Sequence, residues 1–404
     1  MQPELFIKIT IVIGGLMTAA AYFVLLERRI AAWVQDRVGP NRVGIPLTRI
    51  RLFGLGQPLA DGLKMIFKEE YTPRHVDRRL YVLAPLLILT AALSVFAVIP
   101  FGSAVNAGGD KIKLSIIPGL NVGLIYIFAL SSIAVYGVIL GGWASNSKYS
   151  FLGGLRSSAQ LIAYELPLGL GILGIILASS SLDLETIMAH QAESGWWYAF
   201  TQPLGCLVFV IAAFAEAARL PFDLPECEQE LIGGYHTEYA GIKLLLFLVA
   251  EFIHMITASF LIVILFLGGW HFWGITGTDA EATSWGMALL RVLVLFTKVF
   301  LVIVFFMLVR WSWPRFRFDQ LMGLAWKVML PLGLLNFVVV SILLETRLLL
   351  YGQDASSTGF DITSVLISWL ICVGSWIAIC QWGPRVADNS PRKSLDPQLI
   401  DSQI

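Results

Sequence analysis

The sequence predicts an all-α, polytopic membrane protein, and three observations lead to this fold class. The chain is 57% hydrophobic and only 14% charged, and its mean hydropathy of +0.76 exceeds that of soluble globular domains. Apolar windows long enough to cross a hydrocarbon layer of about 30 Å recur along the chain. These windows are continuously apolar and do not alternate as barrel strands do, so each one predicts a helix.

Windows of sufficient length predict about nine transmembrane helices. In chain order they are Leu5–Leu26, Leu80–Pro100, Val122–Gly142, Ala159–Ser179, Phe200–Ala218, Ile242–Gly268, Met287–Val309, Leu324–Leu344 and Ile362–Ile379. No cleavable signal is expected, because Lys8 is the only base before the first apolar run. We therefore expect the first segment to remain in the protein.

The distribution of basic residues predicts the orientation. With the N-terminus outside, the inner connections carry 22 Lys or Arg residues and the outer connections carry 3. Lys and Arg concentrate in cytoplasmic connections of membrane proteins. We therefore expect the N-terminus outside the cell membrane and the C-terminus in the cytoplasm.

Several short motifs suggest cofactors but are better explained by helix packing. None of the four cysteines stands at C-x-x-C spacing, so we expect no iron–sulfur or zinc site within the chain. The segment from Gly169 to Gly174 matches a dinucleotide fingerprint but follows no strand, which favours close packing of small residues. Glu251 and His254 form a single E-x-x-H motif, whereas a di-iron site needs a pair of them with further carboxylates. We therefore favour a hydrogen-bonded intramembrane pair.

The first connection combines a charged helix end with an amphipathic segment. Glu27, Arg28 and Arg29 stand where the first helix meets the interface, which is typical of snorkelling anchors. Between Gly54 and Glu70, apolar and charged side chains fall on opposite faces of a helix. The apolar face holds Leu59, Leu63, Ile66 and Phe67, and the charged face holds Asp61, Lys64 and Lys68. This pattern predicts an amphipathic helix along the membrane surface.

An ionisable side chain lies inside the fourth predicted helix. Glu165 stands about two turns from the start of that window and just before Pro167. A carboxylate at this depth is costly unless it faces a partner or water. We therefore favour a proton-relay or ion-path role over a purely structural pairing, and Glu251 and His254 qualify on the same ground.

A connection rich in acids follows the fifth predicted helix. Between Glu216 and Glu238 the chain has six acids and a single base, Arg219; the acids are Glu216, Asp223, Glu226, Glu228, Glu230 and Glu238. A solvated loop is the usual structure of such a run. Apolar residues interleave with these acids, which predicts that the segment folds into protein and that some carboxyl pKa values rise. A proton store and a docking surface for a basic partner both fit this pattern.

Six segments of the chain, taken in order, form a characteristic series. They read ERRIAAWVQDRVGPNRVG, QPLADGLKMIFKE, AYELPLG, EAARLPFDLPECEQELIGGYHTEYAG, AEF and RWSWPRFRFDQLMGLAWK. From Glu27 to about Leu344 the chain resembles the membrane protein called subunit 1 of respiratory complex I, the proton-pumping NADH:quinone oxidoreductase. The chain departs from the family pattern at His254, after AEF, at Lys111 and Lys113 in an outer loop, and in its C-terminal extension.

The resemblance implies two regions and a set of partners. Residues 1–345 would form a membrane core with a quinone chamber and an acidic funnel, and residues 346–404 an additional transmembrane helix and a polar cytoplasmic tail. Quinone would be the substrate, this chain would bind no redox cofactor, and FMN and iron–sulfur clusters would lie in partner subunits. The partners would be membrane-arm and hydrophilic-arm subunits and lipid, without nucleic acid, in the cytoplasmic (inner) membrane.

The resemblance also implies site residues. In this family the subunit joins the two arms, shapes the quinone entrance and chamber, and begins a chain of acids that leads into the membrane. The quinone chamber would contain Arg28, Arg37, Arg310 and Arg315. The acidic funnel, which relays protons, would contain Asp61, Glu165, Glu216, Asp223, Glu226, Glu228, Glu230, Glu238 and Glu251.

Two other functions remain open at this point. The homologous subunit of a membrane-bound hydrogenase, or of a ferredoxin- or F420-linked dehydrogenase, shares this scaffold and differs in its electron donor. A stand-alone secondary transporter would show two halves of matching hydropathy with paired broken helices, and the sequence shows no such repeat. Co-purification with cytoplasmic subunits that carry flavin and iron–sulfur clusters would distinguish these functions.

Overall fold

The computed structural model describes residues 3–44, 53–105, 111–223, 232–276, 285–351 and 362–382. The helices are α1 Pro3–Val34, α2 Gln57–Phe67, α3 Arg78–Val95, α4 Gly123–Ala144, α5 Lys148–Ser179, α6 Leu184–Ser194, α7 Tyr198–Thr201, α8 Pro203–Glu216, α9 Gly241–Phe266, α10 Trp273–Thr276, α11 Trp285–Ser312, α12 Phe318–Gly323, α13 Leu330–Tyr351 and α14 Ile362–Trp382. A 3₁₀ turn, Gly234–His236, precedes α9, and a π-helical stretch, Leu324–Met329, joins α12 to α13. Strands β1 Ser103–Val105 and β2 Lys111–Lys113 pair antiparallel. The predicted polytopic helical bundle is confirmed.

Eight helices of the described chain are long and apolar enough to cross a membrane. They are α1, α3, α4, α5, α9, α11, the continuous helix from α12 to α13, and α14. The predicted fifth span, Phe200–Ala218, instead forms the shorter helix α8, whose 14 residues extend about 21 Å. The expectation of nine full-length spans is therefore corrected to eight long helices and one short one among the described residues. Val208, Phe209, Ala212 and Ala213 are fully buried, so neighbouring helices enclose α8 and its length need not match the bilayer.

Helix α9 lies at the centre of the bundle. Buried residues make up 78% of its apolar window, the largest share among the described spans. The helix packs against α1, α3, α8 and α11. Glu251 and His254 therefore lie on an element that protein surrounds on several sides.

Helix α5 begins at Lys148, well before the predicted start at Ala159. Counted from Lys148, Glu165 is the eighteenth of 32 residues and lies in the middle of the helix, not two turns from its end. The added turns contain Gly153 and Gly154. Because glycine has low hydropathy, the apolar windows did not include these turns. They form a close contact with α4, because a Cβ at Gly154 would lie 3.3 Å from the Cα of Gly142.

Gly153 allows the 3₁₀ turn to pack directly on α5. A Cβ at Gly153 would lie 2.7 Å from the Cα of Gly234, whereas a Cβ at Gly169 would meet no atom within 4 Å. We expect Gly153→Ala to destabilise the protein by about 1–3 kcal/mol, because overpacking must displace backbone. Gly169→Ala is the matched control and should leave stability unchanged or slightly raised. Thermal unfolding of the purified protein in detergent measures both, and equal melting temperatures would contradict this account.

The amphipathic helix predicted in the first connection is present as α2. None of its residues is buried, and the exposed fraction of the apolar face ranges from 45% at Leu63 to 83% at Phe67. Lys68 stands just beyond the helix end. The exposed apolar face is what a surface helix needs, and its position at a membrane surface stays a prediction.

A buried lysine, Lys298 of α11, has a structural explanation. Its ammonium group donates hydrogen bonds to the backbone oxygens of Leu267 at 2.6 Å, Gly269 at 3.0 Å and His271 at 2.6 Å. The indole ring of Trp197 lies 4.4 Å from the same nitrogen. Three acceptors match the three donors of an ammonium group. Lys298 of α11 therefore holds the segment that follows α9 by hydrogen bonds.

Helix α14 packs along the short helix α8. The indole nitrogen of Trp369 donates a hydrogen bond to the backbone oxygen of Phe200 at 3.0 Å. Cys372 joins a buried apolar cluster with Leu204, Val208 and Met329. The division of the chain at residue 345, which falls inside α13, stays a prediction.

Candidate functional site

Helices α3, α4, α5, α8 and α9 and the 3₁₀ turn enclose a cavity of about 60 Å³, measured as the space open to the centre of a water-sized sphere. Its polar lining consists of Ser131, Glu165, Glu216, Tyr235, Glu251 and His254. A water molecule needs about 10–15 Å³ on this measure and a few polar partners. The cavity therefore has room for several waters, and its walls can hold them.

Glu165 reaches the cavity from the middle of α5. The hydroxyl of Ser132 on α4 donates a hydrogen bond to Oε1 of Glu165, and it also lies 2.9 Å from the backbone oxygen of Phe128. A hydroxyl carries one proton and can satisfy only one of these acceptors at a time. Among the described residues Glu165 forms no ion pair, and the hydroxyl of Ser132 is its hydrogen-bond donor.

Two further acids reach the same cavity from other elements. Glu216, the last residue of α8, interacts with Ser131 and lies close enough to Glu165 for the two carboxyl groups to interact electrostatically. Glu251 of α9 accepts a hydrogen bond from the hydroxyl of Tyr235 at 3.0 Å. Carboxyl groups from three separate helices thus converge on one space.

The predicted hydrogen bond between Glu251 and His254 is wrong. The two side chains stand at i and i+3 on one face of α9, yet no hydrogen bond joins them, and the imidazole makes none to any residue that the structure describes. The 3₁₀ turn places Tyr235 against Glu251 instead. Across the described ranges, no group of three or more His, Cys, Asp or Glu side chains is arranged to hold a metal ion.

An arginine–carboxylate cluster lies next to the cavity and centres on Glu27 of α1. One carboxylate oxygen of Glu27 accepts a hydrogen bond from Arg310 of α11, and the other lies 3.5 Å from Nη1 of Arg219. Glu27 is 9% exposed and Arg219 is 5% exposed. The guanidinium of Arg219 also stacks on the ring of Phe252, 4.2 Å from its centroid. The expectation that Glu27 is a snorkelling anchor is therefore wrong, because α9 and α11 pack over this end of α1.

Two more ion pairs involve residues that the sequence assigned to a site. Nη1 of Arg28 lies 2.6 Å from Oδ2 of Asp61 on α2, in a pair that solvent partly reaches. Arg315 lies 3.4 Å from Oδ2 of Asp223 and also donates to the backbone oxygen of the same residue. Arg37 is exposed and bonds Gln35 at 2.7 Å.

The resemblance implied a set of site residues. Some of them lie together in the structure, and others lie apart. Glu165, Glu216 and Glu251 share the cavity, while Arg310 belongs to the arginine–carboxylate cluster. Glu238 accepts a hydrogen bond from Tyr81 through its backbone oxygen, at 2.6 Å. Glu226, Glu228 and Glu230 lie outside the described residues.

The cavity and the arginine–carboxylate cluster are adjacent in the chain. Glu216 lines the cavity, Ala217 and Ala218 continue its wall, and Arg219 pairs with Glu27. The chain thus passes from an acid of the cavity to a base of the cluster within four residues.

Several residues of these two sites had no functional prediction from the sequence. Ser132 and Tyr235 contact the acids directly, but single hydroxyl residues are common in membrane helices and turns and give no signal. Arg219 was visible as the single base within the acidic connection. Its partner, Glu27, lies far away in the chain and is found only through the fold.

These features define a multi-pass helical membrane protein with an acid-lined cavity beside buried arginine–carboxylate pairs. The family model described as NADH dehydrogenase matches residues 7–341. The chain therefore belongs to the NADH dehydrogenase family, and curated members that it matches are named as subunits of NADH-quinone oxidoreductase. The resemblance drawn from the sequence segments is confirmed.

The relatives match most of this chain and most of their own length. The protein named NADH-quinone oxidoreductase subunit 8 of Thermus thermophilus is 48% identical over 344 residues, covering 85% of this chain and 87% of the relative. The protein of the same name from Rhodothermus marinus is 43% identical over 340 residues, covering 82% and 94%. An NADH-quinone oxidoreductase subunit of Syntrophobacter fumaroxidans is 48% identical over 332 residues, covering 82% and 93%.

Proposed function

We propose that the chain is the membrane subunit of a proton-pumping NADH:quinone oxidoreductase that forms part of the quinone chamber and links quinone reduction to proton translocation. The observation that supports this most strongly is the adjacency of two sites. An acid-lined cavity that reaches the middle of α5 lies beside buried arginines that hold carboxylates at one end of the bundle.

The arginine residues at this end of the bundle are proposed to face the quinone. A quinone headgroup offers carbonyl oxygens that accept hydrogen bonds, and a guanidinium group offers several donors in a fixed plane. Arg28, Arg310 and Arg315 all lie near ends of α1 or α11, and Arg37 belongs to the same proposed chamber. The electrons would come from FMN and iron–sulfur clusters in partner subunits, since the proposal gives this chain no redox cofactor.

The acids of the cavity are proposed to carry protons. Reduction of a quinone to a quinol consumes protons together with electrons, so acids beside the chamber must be resupplied. Acidic side chains inside membrane proteins commonly form such relays. Glu165, Glu216 and Glu251 share a space that can hold water, and water allows protons to move between carboxyl groups that do not touch.

The remaining acids are proposed to form the start of this relay. Asp61, Asp223, Glu238 and the connection that contains Glu226, Glu228 and Glu230 would make up a funnel on the cytoplasmic side. In this proposal the N-terminus would lie outside an inner membrane, and the hydrophilic arm would dock against the charged end of the bundle. A docking surface for a basic partner remains the rival role of the acidic connection.

Co-purification tests the class of complex. We expect the chain to purify with cytoplasmic subunits that carry flavin and iron–sulfur clusters. The complex should oxidise NADH, because relatives of the chain are named as subunits of NADH-quinone oxidoreductase. A hydrogenase centre or a ferredoxin-linked arm would assign the chain to the rival complexes. A homogeneous monomer with transport activity would overturn the proposal.

Removing an arginine tests the quinone chamber. We expect Arg310→Met to lower quinone-linked NADH oxidation about tenfold or more, because a lost charge-assisted hydrogen bond costs about 1.5–3 kcal/mol. Arg28→Met should have a smaller effect, since solvent screens its pair with Asp61. Electron transfer from NADH to a hydrophilic acceptor should stay nearly unchanged in both variants.

The exposed Arg79 provides the matched control for these variants. Arg79→Met removes a positive charge from the same end of the bundle and should leave both activities unchanged. Equal loss of quinone-linked and hydrophilic-acceptor activity in Arg310→Met would indicate failed assembly. Full quinone-linked activity in an assembled Arg310→Met complex would remove Arg310 from the chamber.

A further inference from the structure

His254 is a titratable group of the cavity that the funnel assignment leaves without a role. It stands two residues after the segment AEF, at a position where the sequence departs from the family pattern. The side chain is half-buried and lines the same cavity as Glu165, Glu216 and Glu251. Its position one turn from Glu251 on α9 places both groups on one face of the helix.

The ring nitrogens of His254 are available to the cavity. The imidazole makes no hydrogen bond to any residue of the described ranges, while the cavity beside it has room for water. A neutral imidazole has one donor nitrogen and one acceptor nitrogen. It can therefore accept a proton on one ring nitrogen and release a proton from the other.

The titratable groups that face the cavity with His254 are three acids and a tyrosine. Glu165 faces the cavity from α5, Glu216 from α8 and Glu251 from α9, and Tyr235 faces it from the 3₁₀ turn. Helices α3 and α4 contribute Ile88 and Ser131 with other uncharged residues, and no Lys or Arg lines the described cavity. The guanidinium of Arg219 stacks on Phe252 of α9 but pairs with Glu27. A protonated His254 would therefore be the one cation among the carboxyl groups of this lining.

We propose that His254 carries protons between Glu251 and the pair formed by Glu165 and Glu216. In the first step the O–H bond of one carboxylic acid breaks and an N–H bond forms on the acceptor nitrogen, which leaves an imidazolium and a carboxylate. In the second step the other ring nitrogen releases its proton to a carboxylate on the far side. Water bridges the gaps, and ring rotation or the reverse path restores the starting tautomer.

This inference rests on the proposed function, because it requires proton flow through the cavity. The variant His254→Gln keeps polarity and hydrogen-bonding groups but cannot titrate. In the assembled complex, we expect it to lower quinone-linked turnover and proton translocation about tenfold or more, since a positioned proton-transfer group contributes about 10²–10⁴-fold. The pH profile of turnover should also change, which a merely structural role would not produce.

Chemical rescue separates proton transfer from packing. His254→Ala enlarges the cavity, and added imidazole should restore part of the turnover in this variant but not in Glu165→Gln. His190→Gln is the matched control, because the imidazole of His190 bonds the hydroxyl of Tyr198 at 2.8 Å and does not line the cavity. That variant should keep the normal pH profile. If His254→Gln does not assemble, the response of His254→Ala to imidazole decides the question.

The outcomes distinguish this inference from the proposed function. Normal turnover, pumping and pH profile in His254→Gln, together with lost pumping in Glu165→Gln, would overturn the role of His254 and leave the relay intact. Normal pumping in both variants would overturn the relay itself. Absence of rescue by imidazole in an assembled but inactive His254→Ala complex would assign His254 to packing.

Discussion

Glu165→Gln is expected to yield an assembled complex that has lost most of its quinone-linked turnover and proton pumping. Glutamine has the size of glutamate, and its amide oxygen can still accept the hydrogen bond from Ser132, but it holds no exchangeable acidic proton. A positioned acid–base group contributes about 10²–10⁴-fold to proton transfer, so the loss should fall in this range. Proton uptake into inverted vesicles and quinone-linked NADH oxidation measure it.

Two variants serve as references for this result. Glu165→Asp keeps a carboxyl group with a shorter side chain and should be milder than Glu165→Gln. Ser132→Ala removes the hydroxyl neighbour and keeps the acid, so it should reduce turnover less than Glu165→Gln. Wild-type pumping in the glutamine variant would remove Glu165 from the relay.

Glu27→Ala is expected to have the largest effect on stability. The side chain of Glu27 is 12% exposed, and those of Arg219 and Arg310 are 6% and 17% exposed. Removing the carboxylate takes away an anion that both largely buried guanidinium groups contact, and breaking a buried ion pair costs about 3–5 kcal/mol. We expect a lower melting temperature in detergent and a reduced amount of assembled complex in the membrane.

The control for this variant is Glu4→Ala, which removes an exposed carboxylate from the first turn of the same helix. It should leave the melting temperature unchanged. The double variant Glu27→Met with Arg219→Met should recover part of the lost stability, because apolar residues can replace a buried pair. If Glu27→Ala and Glu4→Ala have equal melting temperatures, the positive charges of Arg219 and Arg310 are compensated without the carboxylate of Glu27.

The sequence predicted the elements that hydropathy can detect. Continuous apolar runs indicated α1, α9 and α11 because lipid-facing and buried positions are both apolar in a membrane helix. The same criterion missed the first turns of α5, where Gly153 and Gly154 pack backbone against backbone and contribute little hydropathy. It also overestimated the length of α8, because hydropathy does not distinguish a short helix enclosed by protein from a complete transmembrane span.

The candidate site was only partly predictable. The cost of an ionisable group at membrane depth singled out Glu165 and Glu251, and the density of acids between Glu216 and Glu238 added Glu216. Neither argument could show that Tyr235 would replace His254 as the partner of Glu251, because this depends on how the 3₁₀ turn packs on α5. The pairing of Glu27 with Arg219 joins residues 192 positions apart in the chain, which no local pattern reveals.

The short length of α8 also has a consequence for the transmembrane electric field. Water is a far better dielectric than hydrocarbon, so a hydrated cavity at Glu216 would shift the potential drop onto the remaining, drier part of the bundle. Helix α8 extends about 21 Å from this point, against about 30 Å for a full hydrocarbon layer. A proton that leaves the cavity for the opposite side would then work against the membrane voltage, at about 2.3 kcal/mol per 100 mV, over a barrier thinner than the bilayer itself.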